Sequence, residues 1–175
     1  LVAPMRDELT RLGVRELRTA ADVDALLEEA QEGTTLAVVN SVCGCAAANA
    51  RPAVAMVQGV EPQPDRVVTV FAGQDLEATA RLRGFLAGIQ PSSPSMFLLK
   101  DGDPVFAIER RHIEGRSASA IAADLKGAYE TFCADCHGPG GKGGEKAGSV
   151  VDPSFLSLVS PQMLRISILA GRPDL

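Results

Sequence analysis

Thr34-Thr35-Leu36-Ala37-Val38-Val39 is a continuous apolar, β-branched run that stops just before Cys43-Gly44-Cys45, and an Ala-rich stretch with one internal proline follows from Cys45 to Gly59. The run is too short for a helix and does not alternate, so it reads as a strand buried on both faces of a parallel sheet. The Ala-rich stretch reads as a helix that either starts near Cys43 and kinks at Pro52 or is broken there, because proline lacks a backbone donor and crowds the preceding turn. A buried strand that delivers two cysteines to the start of a helix implies an α/β architecture.

The flanking sequence supports that order. Thr19-Ala20-Ala21-Asp22 is a capping-box variant, after which Val23, Leu26, Leu27 and Ala30 recur at helical spacing until Gly33. Val67 to Ala72 is a second buried strand, followed by Gly73-Gln74-Asp75 and a helix with Leu82, Phe85, Leu86 and Ile89 on one face. Beyond Pro91-Ser92-Ser93-Pro94, residues Ser95 to Lys100 are apolar again. Asp101-Gly102-Asp103 then signals a hairpin into an antiparallel strand, Val105 to Glu109, with Pro104 just ahead of it. Ser117 can cap a last helix whose buried stripe is Ile121, Leu125, Ala128 and Phe132. The Gly-rich segment Gly138 to Gly144 cannot serve as a core element, which places a domain boundary near residue 132.

With 175 residues, 46% hydrophobic and 22% charged, the chain is long and apolar enough to bury a core without disulfides. A net charge of −5 argues against nucleic acid or an anionic membrane surface as its partner. No apolar run approaches the roughly 18 residues of a membrane span. The start, Leu1 to Asp7, has no charged-then-apolar signal segment, so the expectation is a cytoplasmic protein.

The four cysteines form two tight pairs, Cys43-Gly44-Cys45 and Cys133-Ala134-Asp135-Cys136, the second followed by His137. Such pairing points to redox or metal chemistry rather than a secreted disulfide scaffold. At the start of a helix, unpaired amides favour a thiolate, which makes Cys43 the candidate nucleophile of a thiol–disulfide exchange and Cys45 its resolving partner. Gly44 is the residue that turns the backbone between them with least strain. Two other readings stand beside this one: small cysteines packing at a strand end, and a zinc or iron–sulfur site built from both pairs and His137.

The order of strand, cysteines and helix, then a proline before a strand, a glycine hairpin, a last strand and a last helix, resembles the thioredoxin fold. This is a central mixed sheet flanked by helices, followed here by a short, irregular or helical extension. The resemblance implies a cis peptide bond at Pro94, lying against the redox cysteines. More closely, Pro4-Met5-Arg6-Asp7-Glu8-Leu9, Val39-Asn40-Ser41-Val42-Cys43-Gly44-Cys45-Ala46, Ala50-Arg51-Pro52, Thr69-Val70-Phe71-Ala72-Gly73-Gln74-Asp75 and Pro91-Ser92-Ser93-Pro94-Ser95-Met96 resemble the bacilliredoxins over about residues 3 to 133. That resemblance implies a cytoplasmic thiol–disulfide oxidoreductase that strips bacillithiol from S-bacillithiolated client proteins, with Cys43 attacking and weak disulfide isomerase or reductase activity besides. It implies bacillithiol as thiol co-substrate and no resident cofactor for residues 1 to 132. Cys133 stands where family members commonly carry one further cysteine, a candidate third exchanging thiol. Ala48 departs from a glycine common in the family. Arg110, Arg111 and His112 read first as a solvated charged turn and second as an attractor for the carboxylates of bacillithiol. Arg51 reads as structural rather than as a thiolate partner.

Cys133-Ala134-Asp135-Cys136-His137 matches the attachment signature of c-type haem, with Cys133 and Cys136 as thioether sites and His137 as proximal ligand. Residues 128 to 175 resemble the first part of a c-type cytochrome domain, too short to wrap a haem. Met163, amid Leu164, Ile166, Ile168 and Leu169, reads as packing rather than as a ligand. Residues 133 to 175 are therefore expected to be a partial cytochrome c-like segment, and a haem electron-transfer fusion is the competing function.

Overall fold

The computed structural model describes residues 2–58 and 63–134. The chain divides into two units between Phe132 and Cys133, and the first carries every strand among the described residues. Its elements are α1 (Ala3–Thr10), β1 (Arg15–Glu16), α2 (Ala20–Glu29), β2 (Thr34–Asn40), α3 (Arg51–Val57), β3 (Arg66–Phe71), α4 (Leu76–Phe85), β4 (Ser95–Lys100), β5 (Asp103–Ile108) and α5 (Ala118–Tyr129).

The five strands form one sheet in the order β1-β3-β2-β4-β5. β2 lies at its centre, parallel to β3 and antiparallel to β4, and all seven of its residues are buried. Side chains alternate across a strand, so neighbouring residues of β2 enter different cores. Leu36 and Val38 pack with Leu9, Val54, Val57, Ile121 and Leu125 of α1, α3 and α5. Ala37 and Val39 pack with Val23, Leu26, Ala78 and Leu82 of α2 and α4. An apolar run without alternation is what a strand covered by helices on both faces requires. The sheet is mixed, as the thioredoxin-like pattern demands, because β4 enters antiparallel to β2 after α4 and the hairpin then returns the chain as β5.

Local chemistry sets the boundaries. Thr19 accepts the Asp22 amide at 3.1 Å while Asp22 accepts the Thr19 amide at 2.9 Å, a reciprocal capping box that starts α2. Asp101 and Gly102 both take positive φ, 49° and 89°, the geometry of a two-residue hairpin whose twist matches the strands. β5 begins at Asp103, one residue ahead of Pro104, so the proline lies inside the strand rather than before it. It is tolerated because β5 is the sheet edge, where a ladder donor is not needed on both sides, and a register shift between Leu98 and Leu99 faces it.

The segment after Cys45 is not broken at Pro52. Residues Ala46–Ala50 form a π-helical turn that runs directly into α3, with the Arg51 amide bonding the Ala46 carbonyl. Widening the helix by one residue just ahead of the proline relieves the contact that its ring would make with the preceding turn. Two further elements, α1 and β1, have no strong periodic signal in the sequence. They are held by a half-buried guanidinium: Arg6 bonds both carboxylate oxygens of Asp75 at 2.8 Å, also pairs with Glu16, and lies 5.0 Å from the centre of the Phe71 ring. Those contacts fasten α1 to the end of β3, beside the end of β2.

Candidate active site

β2 ends at Asn40, and the chain passes through Ser41 and Val42 to Cys43 and Cys45 at the start of the next helical segment. Both cysteines are free thiols, half-buried, with their sulfurs 2.7 Å apart. The Cys43 carbonyl accepts the amides of Ala46 and Ala47 at 3.1 and 3.2 Å, so the helix begins at the first cysteine. Cys43 Sγ lies 3.1 Å from Ser41 Oγ and 3.4 Å from the Ala46 amide. Val42 beside it is 57% exposed, so solvent and a large substrate can reach this corner.

The two thiols are pushed in opposite directions. Burial raises the pKa of Cys43, but hydrogen bonds from Cys45, Ser41 and the Ala46 amide, with the positive charge of Arg110, outweigh it and leave the group below its ordinary value. For Cys45, burial and the hydrogen bond and charge of Cys43 all act upward, and the pKa is raised. When the neighbouring thiols share one proton, these directions favour the negative charge on Cys43. A thiolate is the nucleophile in disulfide exchange, and an adjacent protonated thiol is the second reactant needed to release the product.

Gly44, expected to make the turn of the motif, does not take a positive φ, and a Cβ built there would meet nothing within 4 Å. In the dithiol state a glycine is therefore not sterically required.

Behind the cysteines lies a buried polar relay that the sequence reading left unassigned apart from Arg51. Arg51, 2% exposed, donates to Asn40 Oδ1 and to the Ser41 carbonyl, both at 3.2 Å, and to Glu8 at 2.7 Å. Asn40 Oδ1 also accepts the Ser41 amide at 2.8 Å, and Asn40 Nδ2 donates to the Met5 carbonyl at 3.3 Å. Arg51 thereby holds Asn40 and Ser41, on the path that leads into Cys43. Ser41 is the group that residue-type reasoning missed; a hydroxyl two residues ahead of a cysteine at a strand exit is the signal that points to it.

The Ser93–Pro94 peptide is cis. Ser95 pairs with Val39 across β4 and β2, which puts Pro94 at the sheet end from which β2 runs to Cys43. Arg110, Arg111 and His112 form a short 3-10 turn after β5. His112 Nδ1 accepts the Glu109 amide at 3.2 Å, which occupies it in capping that turn. Arg111 pairs with Glu109 at 2.6 Å, whereas Arg110 bears electrostatically on both sulfurs. Cys133 falls in the π-helical turn Glu130–Ala134 that follows α5. Cys136, His137 and Met163 lie outside the described residues. Among the described residues no three His, Cys, Asp or Glu side chains converge as a metal site, and no helix is long and apolar enough to cross a membrane.

The family model described as disulphide isomerase matches residues 1–133, ending short of Cys136 and His137. A bacilliredoxin of Salinibacter ruber is 60% identical over 136 residues, covering 77% of this chain and 80% of that protein. A bacilliredoxin of Bacillus licheniformis is 54% identical over 134 residues, covering 76% of this chain and 92% of that protein. Among solved structures, reduced thioredoxin of Schistosoma mansoni is similar at a TM-score of 0.47 and 20% identity, covering 65% of this chain and 96% of that one. With a thioredoxin-like sheet, a paired-thiol site at the exit of its central strand, and these relatives matched over most of their length, the chain belongs to the bacilliredoxin family of thiol–disulfide oxidoreductases.

Proposed function

We propose that this protein removes bacillithiol from S-bacillithiolated client proteins, with Cys43 as nucleophile and Cys45 as resolving thiol. The Cys43 thiolate attacks the bacillithiol sulfur of the mixed disulfide; that S–S bond breaks, the client leaves as a thiolate, and a Cys43–bacillithiol disulfide forms. Cys45 then loses its proton to solvent and attacks Cys43, releasing bacillithiol as a thiolate and leaving a Cys43–Cys45 disulfide, or the thiolate of a second bacillithiol attacks the bacillithiol sulfur of the adduct, forming bacillithiol disulfide and releasing the Cys43 thiolate. Electrons balance at each step, since every exchange replaces one disulfide by another. Pro94, at the same sheet end, borders the approach to Cys43, and the weak isomerase or reductase activity is the same exchange on a protein disulfide. Bacillithiol is a co-substrate in this reading, no resident cofactor takes part, Cys133 is assigned no step, and the reaction belongs to the cytoplasm.

The observation that supports this most is the pair of thiols 2.7 Å apart with their pKa values driven in opposite directions, which supplies an attacker and a resolver at once. The test is the intact mass of a bacillithiolated client followed in time with the full-length protein and with Cys43→Ala. Loss of the bacillithiol mass with the first and not with the second supports the assignment; equal loss with both, or none with either, refutes it.

A further inference from the structure

Three arginines lie on or just after the turn that follows β5, and they differ in what holds them. Arg111 is committed to Glu109 at 2.6 Å. Arg116 is committed to Asp124 at 2.6 Å and to the carbonyls of His112 and Ala120. Among the described residues the Arg110 side chain pairs with Glu114 alone, at 3.5 Å, and it is 47% exposed. Sheet register places it: Met96 pairs with Ile108, and Ser95 pairs with Val39, so the exits of β5 and β2 and the entry to β4 share one end of the sheet. The Arg110 amide donates to Ser92 Oγ at 3.2 Å, and Ser95 Oγ donates to the Ser92 carbonyl at 2.9 Å, which fixes the turn against the loop that carries Pro94. Arg110 also favours the charged form of both cysteines, and their charges in turn raise its own pKa.

From this position, resting on the reading above, we propose that Arg110 is the specificity residue for the thiol being removed: its guanidinium receives a carboxylate of bacillithiol and so presents the bacillithiol sulfur, rather than the client sulfur, to Cys43. A planar guanidinium matches a carboxylate through two parallel hydrogen bonds, which fixes orientation as well as adding attraction. Glu114 holds Arg110 loosely enough for a substrate carboxylate to displace it. The covalent step is unchanged: the Cys43 sulfur bonds to the bacillithiol sulfur and the client thiolate departs. A carboxylate-free thiol on the same client gains nothing from the contact.

The test compares one client protein carrying either bacillithiol or 2-mercaptoethanol as its mixed disulfide, with full-length protein and Arg110→Gln. Second-order rate constants are read from the client mass. The expected result is that Arg110→Gln lowers the ratio of the bacillithiol rate to the 2-mercaptoethanol rate about fivefold, the scale of one partly exposed charge-assisted contact. In a Cys45→Ala background it also shifts the trapped adduct on Cys43 from bacillithiol toward the client. Taking the ratio cancels any common slowing from a less stabilised thiolate. Equal loss of both rates would mean that Arg110 acts only through the thiolate and would overturn the proposal, as would an unchanged ratio. If the unsubstituted protein removes 2-mercaptoethanol but not bacillithiol, the bacillithiol reading itself fails and this inference falls with it.

Discussion

Ser41 Oγ lies 3.1 Å from Cys43 Sγ, held there because the Ser41 backbone is bonded on both sides: its amide to Asn40 Oδ1 and its carbonyl to Arg51. The hydroxyl is one of the groups that keep the Cys43 thiol below its ordinary pKa against the opposing effect of burial. Removing it in Ser41→Ala raises the Cys43 pKa, because the thiolate loses a hydrogen bond that favours its charged form. The check is the pH dependence of alkylation by iodoacetamide in a Cys45→Ala background, with and without the Ser41 substitution. An unchanged midpoint would show that the hydroxyl does not serve the thiolate.

Cys45 stabilises the Cys43 thiolate as well as resolving it, since its thiol heads the hydrogen bonds that lower the Cys43 pKa. Nucleophile reactivity in the reduced protein rises with pH through a midpoint lowered from the ordinary thiol value. Because a depressed pKa means that the charged form is favoured, losing a donor moves the midpoint up, so Cys45→Ala shifts the alkylation curve of Cys43 to higher pH. A downward shift would place the proton on Cys43 and reverse the two roles.

Arg51 is buried and its donors are spread over Glu8, Asn40 and Ser41. Arg51→Met strands those acceptors and destabilises the protein by about 3 kcal/mol, the usual cost of breaking a buried charged network from one side. Glu8 is 47% exposed, so Glu8→Gln costs less than about 1 kcal/mol. Urea unfolding of both variants gives the comparison, and similar losses for the two would contradict the relay as drawn.

Gly44 has open space where a Cβ would stand and no positive φ. Gly44→Ala therefore folds as the dithiol with stability unchanged or raised by up to about 1 kcal/mol, because alanine loses less conformational entropy on entering the helix. A loss of more than that in thermal unfolding of the reduced protein would mean that the motif turn needs glycine after all.

The sheet and its helices were legible because each carries a local cause: the unbroken apolar run of β2, the Thr19 capping box and the Asp101-Gly102 hairpin all act over a few residues. The cysteine pair was legible for the same reason. What the sequence did not disclose depends on contacts between distant residues. α1 and β1 owe their places to Arg6 meeting Asp75 and Glu16, and Ser41 owes its orientation to Arg51, ten residues on, and Asn40. The π-helical turn before Pro52 is a compromise between a helix-forming stretch and a proline, and residue types alone give only the conflict. Arg110 read alike with Arg111 and His112 as part of one charged turn until the partners of those two were known.

The most direct measurement is the intact mass of Cys45→Ala after incubation with a bacillithiolated client, with Cys43→Ala treated alongside. The account predicts that Cys45→Ala, which keeps the nucleophile and lacks the resolver, gains the mass of one bacillithiol on Cys43 as the client loses it, while Cys43→Ala gains none. An adduct on Cys43→Ala, or a client that keeps its bacillithiol in the presence of Cys45→Ala, would contradict the assignment of Cys43 as the attacking thiol.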